Sequence, residues 1–338
     1  MNLAKRNKEY EEKPNQPHLF YGTSGFEILR DNNVQFAHFG QGTTHGRLPP
    51  MKRLALTLAL MAVAVSTWAQ QRIQDVIYMK SGGAAFSMDV FKPKTPNGAA
   101  VIFLVSGGWV SSHEGINTDF GKGFNDQGYT VFQVVHGAQP KYNITEIFLQ
   151  ITRAVRFIRS NATTYGVDAN RMALCGASAG GHLSLLVSGY ANDGDPKATD
   201  PIDKVSSRVA AIGVYFPPTD FLHFGSYGQF PDSTPKYSVF RPAFGFAPNE
   251  TPEKITSIYK ALSPITTVTA KFPPTLLIYG DKDDLVPLQQ GEVMRDALTK
   301  ADVRNELLVI KGGAHDGVTI SGGAPRLVSW FNQWLLKK

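Results

Sequence analysis

Short apolar runs rich in β-branched residues recur along the chain, with room for a helix between them. AAVIFLVS (99–106), TVFQVV (130–135), RMALCG (171–176), VAAIGVYF (209–216), PTLLIYG (274–280) and RNELLVI (304–310) are the clearest. A strand with one wet face alternates polar and apolar residues, so unbroken runs predict strands buried on both faces. Between the second and third runs, Ile147, Ile151, Val155 and Ile158 keep helical spacing. Strands alternating with helices predict an α/β fold, a mostly parallel central sheet flanked by helices. From about residue 217 to 262 the alternation lapses. Nine Phe and Tyr residues fall between Phe216 and Phe246, among many Pro and Gly. This stretch reads as an insertion packed over the sheet within a single domain spanning residues 70–338.

The N-terminal part reads differently. MKRLALTLALMAVAVSTWAQQ begins at Met51. Lys52 and Arg53 form a basic start, Leu54 to Val65 is an uncharged apolar run, and Thr67 and Ala69 make a small-residue cleavage site before Gln70. This is the layout of a secretory signal peptide over residues 51–69. The run is shorter than the roughly 20 apolar residues of a membrane span, so stable membrane insertion is not expected. Residues 1–50 are polar without a sustained period. They are expected to be either a mis-called extension upstream of a true initiator at Met51 or a disordered leader. The implied location is secreted or periplasmic.

Half of the net charge of +6 lies within residues 1–53, and the remainder shows no Lys/Arg cluster. Nucleic acid is therefore not an expected partner. A single cysteine, Cys175, rules out an intrachain disulfide framework and reads as a buried, inert thiol. The histidines lack zinc-motif spacing and no G-x-G-x-x-G is present, so neither a metal nor a cofactor is expected. The sequence leaves oligomeric state open.

Gly176-Ala177-Ser178-Ala179-Gly180 matches G-x-S-x-G where a predicted strand turns into a predicted helix. A sharp turn of this kind needs small neighbours and holds the serine in a strained conformation. A serine hydroxyl is a weak nucleophile and needs a base, itself held by a third group. Five histidines follow the signal segment: His113, His136, His182, His223 and His315. Of these, His315 lies between the last strand and the last helix and is the expected base. His182 lies one helical turn past Ser178 and is expected to support the site without entering the chemistry, while His113 and His136 follow strands on the same rim. Asp281, Asp283 and Asp284, in YGDKDDLVP after the 274–280 strand, are the candidate acids.

The order Ser, Asp, His with these loops resembles the α/β-hydrolase superfamily, esterase/lipase type, from about Asp75 to the C-terminus. The resemblance implies an acid in G-x-x-D-x-x-V-P, which Gly280, Asp283, Val286 and Pro287 match, selecting Asp283 with Asp281 as runner-up. It also implies an oxyanion hole from the N–H of Ala179 and from the loop VSGGWVSS, where related esterases and formamidases carry H-G-G-x-W. Aligned on Trp109, that motif has Val105 in place of its His and Ser106 in place of its first Gly, leaving Gly107 and Gly108 as expected backbone donors. The implied activity is a secreted serine carboxylesterase working through an acyl-enzyme. Exported members of this kind resemble acetyl or feruloyl esterases, which implies small-molecule or polysaccharide-linked ester substrates. An amidase, formamidase or small peptidase of the same fold is the alternative. A non-catalytic binding module is the alternative from another class, and filled Ser, Asp and His positions count against it.

Overall fold

The strands at the middle of the sheet are the most apolar segments, and they carry the turn at Ser178. The computed structural model describes residues 71–336; the expected extension (1–50) and signal segment (51–69) lie outside the described residues. Eight strands make one sheet: β1 (Gln71–Ser81), β2 (Ala84–Lys92), β3 (Ala100–Val105), β4 (Thr130–Val135), β5 (Met172–Ala177), β6 (Ala211–Tyr215), β7 (Thr275–Gly280) and β8 (Asn305–Ile310). Their spatial order is β1-β2-β4-β3-β5-β6-β7-β8. The β1–β2 and β2–β4 pairs are antiparallel, and every other neighbouring pair is parallel. Every residue of β4, β6 and β7 is buried, as unbroken apolar runs require. This mostly parallel sheet with helices between its strands is the α/β-hydrolase fold.

Among the described residues six α-helices accompany the strands, five between strands and the last after β8: α1 (Thr118–Asn125), α2 (Ile144–Ser160), α3 (Ala179–Gly189), α4 (Pro252–Leu262), α5 (Gln289–Lys300) and α6 (Gly317–Phe331). The start of α2 is set by a capping box. Asn143 Oδ1 accepts from Glu146 N–H at 3.0 Å, and Glu146 Oε2 accepts from Asn143 N–H at 2.9 Å. The helix buries Ile147, Ile151, Val155 and Ile158, the stripe seen in the sequence. By contrast, α3 is buried at all but one of its positions, so it has no polar face to display.

Two strands were not legible in the sequence. In β1 only Tyr78 is buried, and the ladder shifts register between Ile73 and Val76, where Asp75 takes φ 56°. The next strand, β2, buries polar Ser87 and Asp89 among its apolar residues. The Asp89 carboxylate accepts from Arg72 Nε at 2.6 Å and from Asp75 N–H at 3.0 Å, which removes the cost of burying it.

The aromatic-rich stretch folds into short 3₁₀ turns and α4. Its rings pack edge to face: Phe221 on Phe244 at 5.0 Å and 90°, Phe224 on Phe230 at 4.9 Å and 85°. Such pairs contribute about 0.5–1.5 kcal/mol each beyond burial, which lets a segment poor in regular structure hold one conformation.

Candidate active site

Ser178 joins β5 to α3 with φ 53° and ψ −120°, a conformation a residue with a Cβ rarely adopts, at a cost of about 1–3 kcal/mol. Two backbone bonds hold it there: Ser178 N–H donates to Tyr215 O at 2.9 Å, and His182 N–H donates to Ser178 O at 2.9 Å. A serine at a helix N-cap ordinarily turns its hydroxyl back to accept from the first turn. Ser178 makes no such bond, and its side chain lines a pocket instead.

The flanking glycines are steric necessities. A Cβ on Gly176 would lie 2.5 Å from the backbone carbon of Gly180, and one on Gly180 would lie 2.7 Å from Leu104 O. Alanine raises helix propensity by about 1 kcal/mol over glycine, so propensity alone favours Gly180→Ala. The backbone clash wins, because a carbonyl in the central sheet cannot retreat as a flexible side chain can. We expect Gly180→Ala to lose about 1–3 kcal/mol by urea unfolding; a gain would show the β3–α3 contact to be loose.

Asp283 and His315 are brought together from loops 32 residues apart. His315 Nδ1 lies 2.8 Å from Asp283 Oδ2, and the Asp283 side chain is fully buried. Its other oxygen accepts from Leu285 N–H at 2.9 Å and Val286 N–H at 2.8 Å. With the carboxylate accepting Nδ1–H, Nε2 is left as the nitrogen that can take a proton. Asp281, the runner-up, has another task. Its Oδ1 accepts from Gly312 N–H at 2.6 Å, and Lys282 N–H donates to Gly313 O at 2.8 Å, so this segment clamps the loop carrying His315. Asp284 is exposed and pairs with Lys236 at 3.1 Å. The Phe216 ring, at φ 38°, lies 4.1 Å from the His315 ring. Among the described residues, no hydrogen bond joins Ser178 Oγ to the His315 ring.

The loop after β3 supplies the facing wall. Gly107 N–H donates to Val110 O at 3.0 Å, so the donor expected at Gly107 is already engaged by a one-residue bridge. Gly108 and Ala179 both line the pocket at Ser178, and their N–H groups have no backbone partner among the described residues. As the first residue of α3, Ala179 cannot find one within its helix.

Other groups brace the loop that lacks the motif's histidine. Gln139 Nε2 donates to Gly108 O at 2.9 Å, Gln139 N–H donates to Trp109 O at 3.1 Å, and Ser111 Oγ donates to Val105 O at 2.5 Å. Trp109, at φ 60°, donates its indole N–H to His182 Nδ1 at 3.2 Å. Indole nitrogen only donates, so His182 carries its proton on Nε2 and gives it to Leu262 O at 2.8 Å. The support expected of His182 is thus a physical link from the loop through α3 to the end of α4. Gln139 and Ser111 carried no sequence signal, because their partners are backbone carbonyls.

The remaining histidines stand apart from the Asp283–His315 pair. His136 is buried with Nδ1 2.7 Å from Gly137 O, His113 bonds Ser87 Oγ at 3.1 Å, and His223 pairs with Asp220 at 2.9 Å. Among the described residues, Asp75, Asp89 and His113 bring ligand-type atoms within 4.8 Å of one another, but Asp89 is committed to Arg72. Burial pushes the Cys175 thiol well above its ordinary range, in keeping with an inert thiol.

Burial also lowers His136 and His182 to about 4. The unfolded chain binds those two protons near 6.5 and the folded chain does not, so stability is lost as pH falls below 6.5. We expect a loss of about 2 kcal/mol per histidine from pH 7 to pH 5, above the range where most carboxylates titrate. Urea unfolding at the two pH values measures it, and equal stabilities would contradict neutral burial of both rings.

A protein-family model described as BD-FAE matches residues 88–298, more than half of the chain. The chain is 27% identical over 263 residues to esterase LipC of Mycobacterium tuberculosis (strain ATCC 25618 / H37Rv), covering 73% of this chain and 62% of LipC. It thus spans less than two thirds of the length of that relative. Among solved structures, a truncated carbohydrate esterase from gut microbiota superimposes with a TM-score of 0.67 at 22% identity, over 80% of this chain and 98% of the other. An acetyl ester-xyloside bifunctional hydrolase from Caldicellulosiruptor lactoaceticus gives 0.64 at 21% identity, over 77% and 96%. No helix among the described residues is long and apolar enough to cross a membrane.

Proposed function

The chain belongs to the BD-FAE family, and from that premise we propose that it is a serine hydrolase of carboxylic esters, with Ser178 as nucleophile, His315 as base and Asp283 as the group that orients it. The observation that carries this reading is the 2.8 Å pairing of buried Asp283 with His315, in a fold that leaves the Ser178 hydroxyl uncommitted at a strained turn. Nε2 of His315 takes the Ser178 proton as Oγ attacks the ester carbonyl. The tetrahedral oxyanion accepts from Ala179 N–H and Gly108 N–H, donors worth about 3 kcal/mol each. His315 then protonates the departing alcohol, leaving an acyl group on Ser178, and activates the water that releases it. The esterase relatives favour esters, and the carbohydrate esterases among the structural neighbours favour acylated sugars or polysaccharides as substrates. A signal peptide at residues 51–69 would place this activity outside the cytoplasm, where such polymers are met.

The test is steady-state hydrolysis of p-nitrophenyl acetate and acetylated xylan, beside an amide and a formamide. Ester turnover with little amide turnover is expected. Turnover of the amide or formamide alone would overturn the ester reading.

A further inference from the structure

We infer that this site accepts only short acyl groups, acetyl above all, and that Phe240 is the wall that sets the limit. The inference rests on the serine-esterase reading and names its acyl specificity. In that mechanism His315 protonates the alcohol, so the alcohol departs on the side of His315 and the Phe216 ring packed against it. The pocket at Ser178 is walled by Gly108, Trp109, Ala179, Tyr237, Phe240 and Leu285, among others, and by neither His315 nor Phe216. It is therefore the acyl side.

Its cavity volume is about 20 Å³. About 10–15 Å³ of cavity suffices for one water, so the chamber holds one or two groups of methyl size. The walls are held in place. Tyr237 OH donates to Leu285 O at 2.9 Å. Trp109 meets Phe240 edge to face at 5.9 Å and 82°. A Cβ on Gly108 would lie 2.9 Å from the Phe240 ring, so that ring sits directly on the loop. Gln139 Nε2 bridges Gly108 O and Val239 O, at 2.9 and 3.1 Å, fastening the segment that carries Phe240 to the loop. Trp109 and Tyr237 are buried, whereas Phe240 is partly exposed, so removing its ring opens the chamber outward.

The test is a series of p-nitrophenyl esters from acetate to hexanoate, with a feruloyl ester, on wild type, Phe240→Leu and Phe240→Ala. A methylene that a pocket cannot accommodate costs about 10–200-fold in kcat/KM. Wild type should therefore prefer acetate to hexanoate by at least about 100-fold and leave the feruloyl ester untouched. Both variants should raise the hexanoate-to-acetate ratio, Phe240→Ala by at least about tenfold. The ratio is taken within each variant, so partial misfolding does not alter it. Acetate and hexanoate turned over equally by wild type, or a ratio unmoved in both variants, would overturn the acyl limit and leave the serine-esterase reading standing. No ester turnover by wild type would overturn both.

Discussion

Ser178→Ala should lower kcat for a short acyl ester by on the order of 10⁶-fold, with the fold intact. The size follows from what the residue supplies. Without Oγ there is no acyl-enzyme, and His315 and the backbone donors are left assisting only direct attack by water. The change removes one oxygen from a side chain that makes no cap hydrogen bond, so it leaves the α3 start without a lost partner. A circular-dichroism melt should match that of wild type. His315→Ala should cost about as much, because nucleophile and base act as one unit and their losses do not add. A Ser178→Ala protein that keeps even a tenth of wild-type turnover would mean that another group performs the attack.

Asp283→Asn should lower kcat by about 10⁴-fold with little change in KM. Asp283 Oδ2 accepts the Nδ1 proton of His315 at 2.8 Å. Its Oδ1 accepts two backbone N–H groups, so an asparagine placed there keeps its oxygen on that side and turns its NH₂ toward the ring. A donor facing Nδ1 favours the tautomer that carries its proton on Nε2, which cannot take a proton from serine. Binding is barely touched, since the Asp283 side chain is fully buried. Asp281→Asn is the control. Asp281 bonds the Gly312 N–H and not the imidazole, and an asparagine oxygen can keep that bond. It should therefore cost less than tenfold, as expected of a group outside the reacting chain. Equal losses at both positions would show that loop clamping, and not imidazole orientation, dominates.

The parts of the molecule legible in the sequence were those governed by local pattern. The six apolar runs fall within two residues of β3 to β8 at either end, although β8, expected to be buried on both faces, lies at the edge of the sheet and buries none of its residues fully. The α2 stripe was equally plain. In β1 and β2 one strand is mostly exposed and the other buries Ser87 and Asp89, whose partners lie on β1 or in the loop after β3. No local pattern announces such pairings. The same division holds in the site. Ser178 could be found because its turn demands glycine at 176 and 180, and His315 because of its loop. The order of loops along the chain left Asp281, Asp283 and Asp284 open, and only the resemblance to G-x-x-D-x-x-V-P selected Asp283. The Trp109–His182 bond spans 73 residues. The engagement of Gly107 with Val110 depends on a backbone bridge that side-chain identity does not encode. The loop after β3 was thus the least legible element, and it keeps its shape without the motif's histidine through Gln139, Ser111 and Trp109.

The central claim is that Ser178 is the attacking group, and covalent labelling tests it most directly. A fluorophosphonate reacts with a serine that a neighbouring base activates and leaves a stable mass increment on it. After brief exposure at neutral pH, intact-mass measurement followed by peptide mapping should find one label per chain, on the peptide carrying Ser178. His315→Ala should label far more slowly. A label on any other residue, or no label on a chain that hydrolyses esters, would contradict the account.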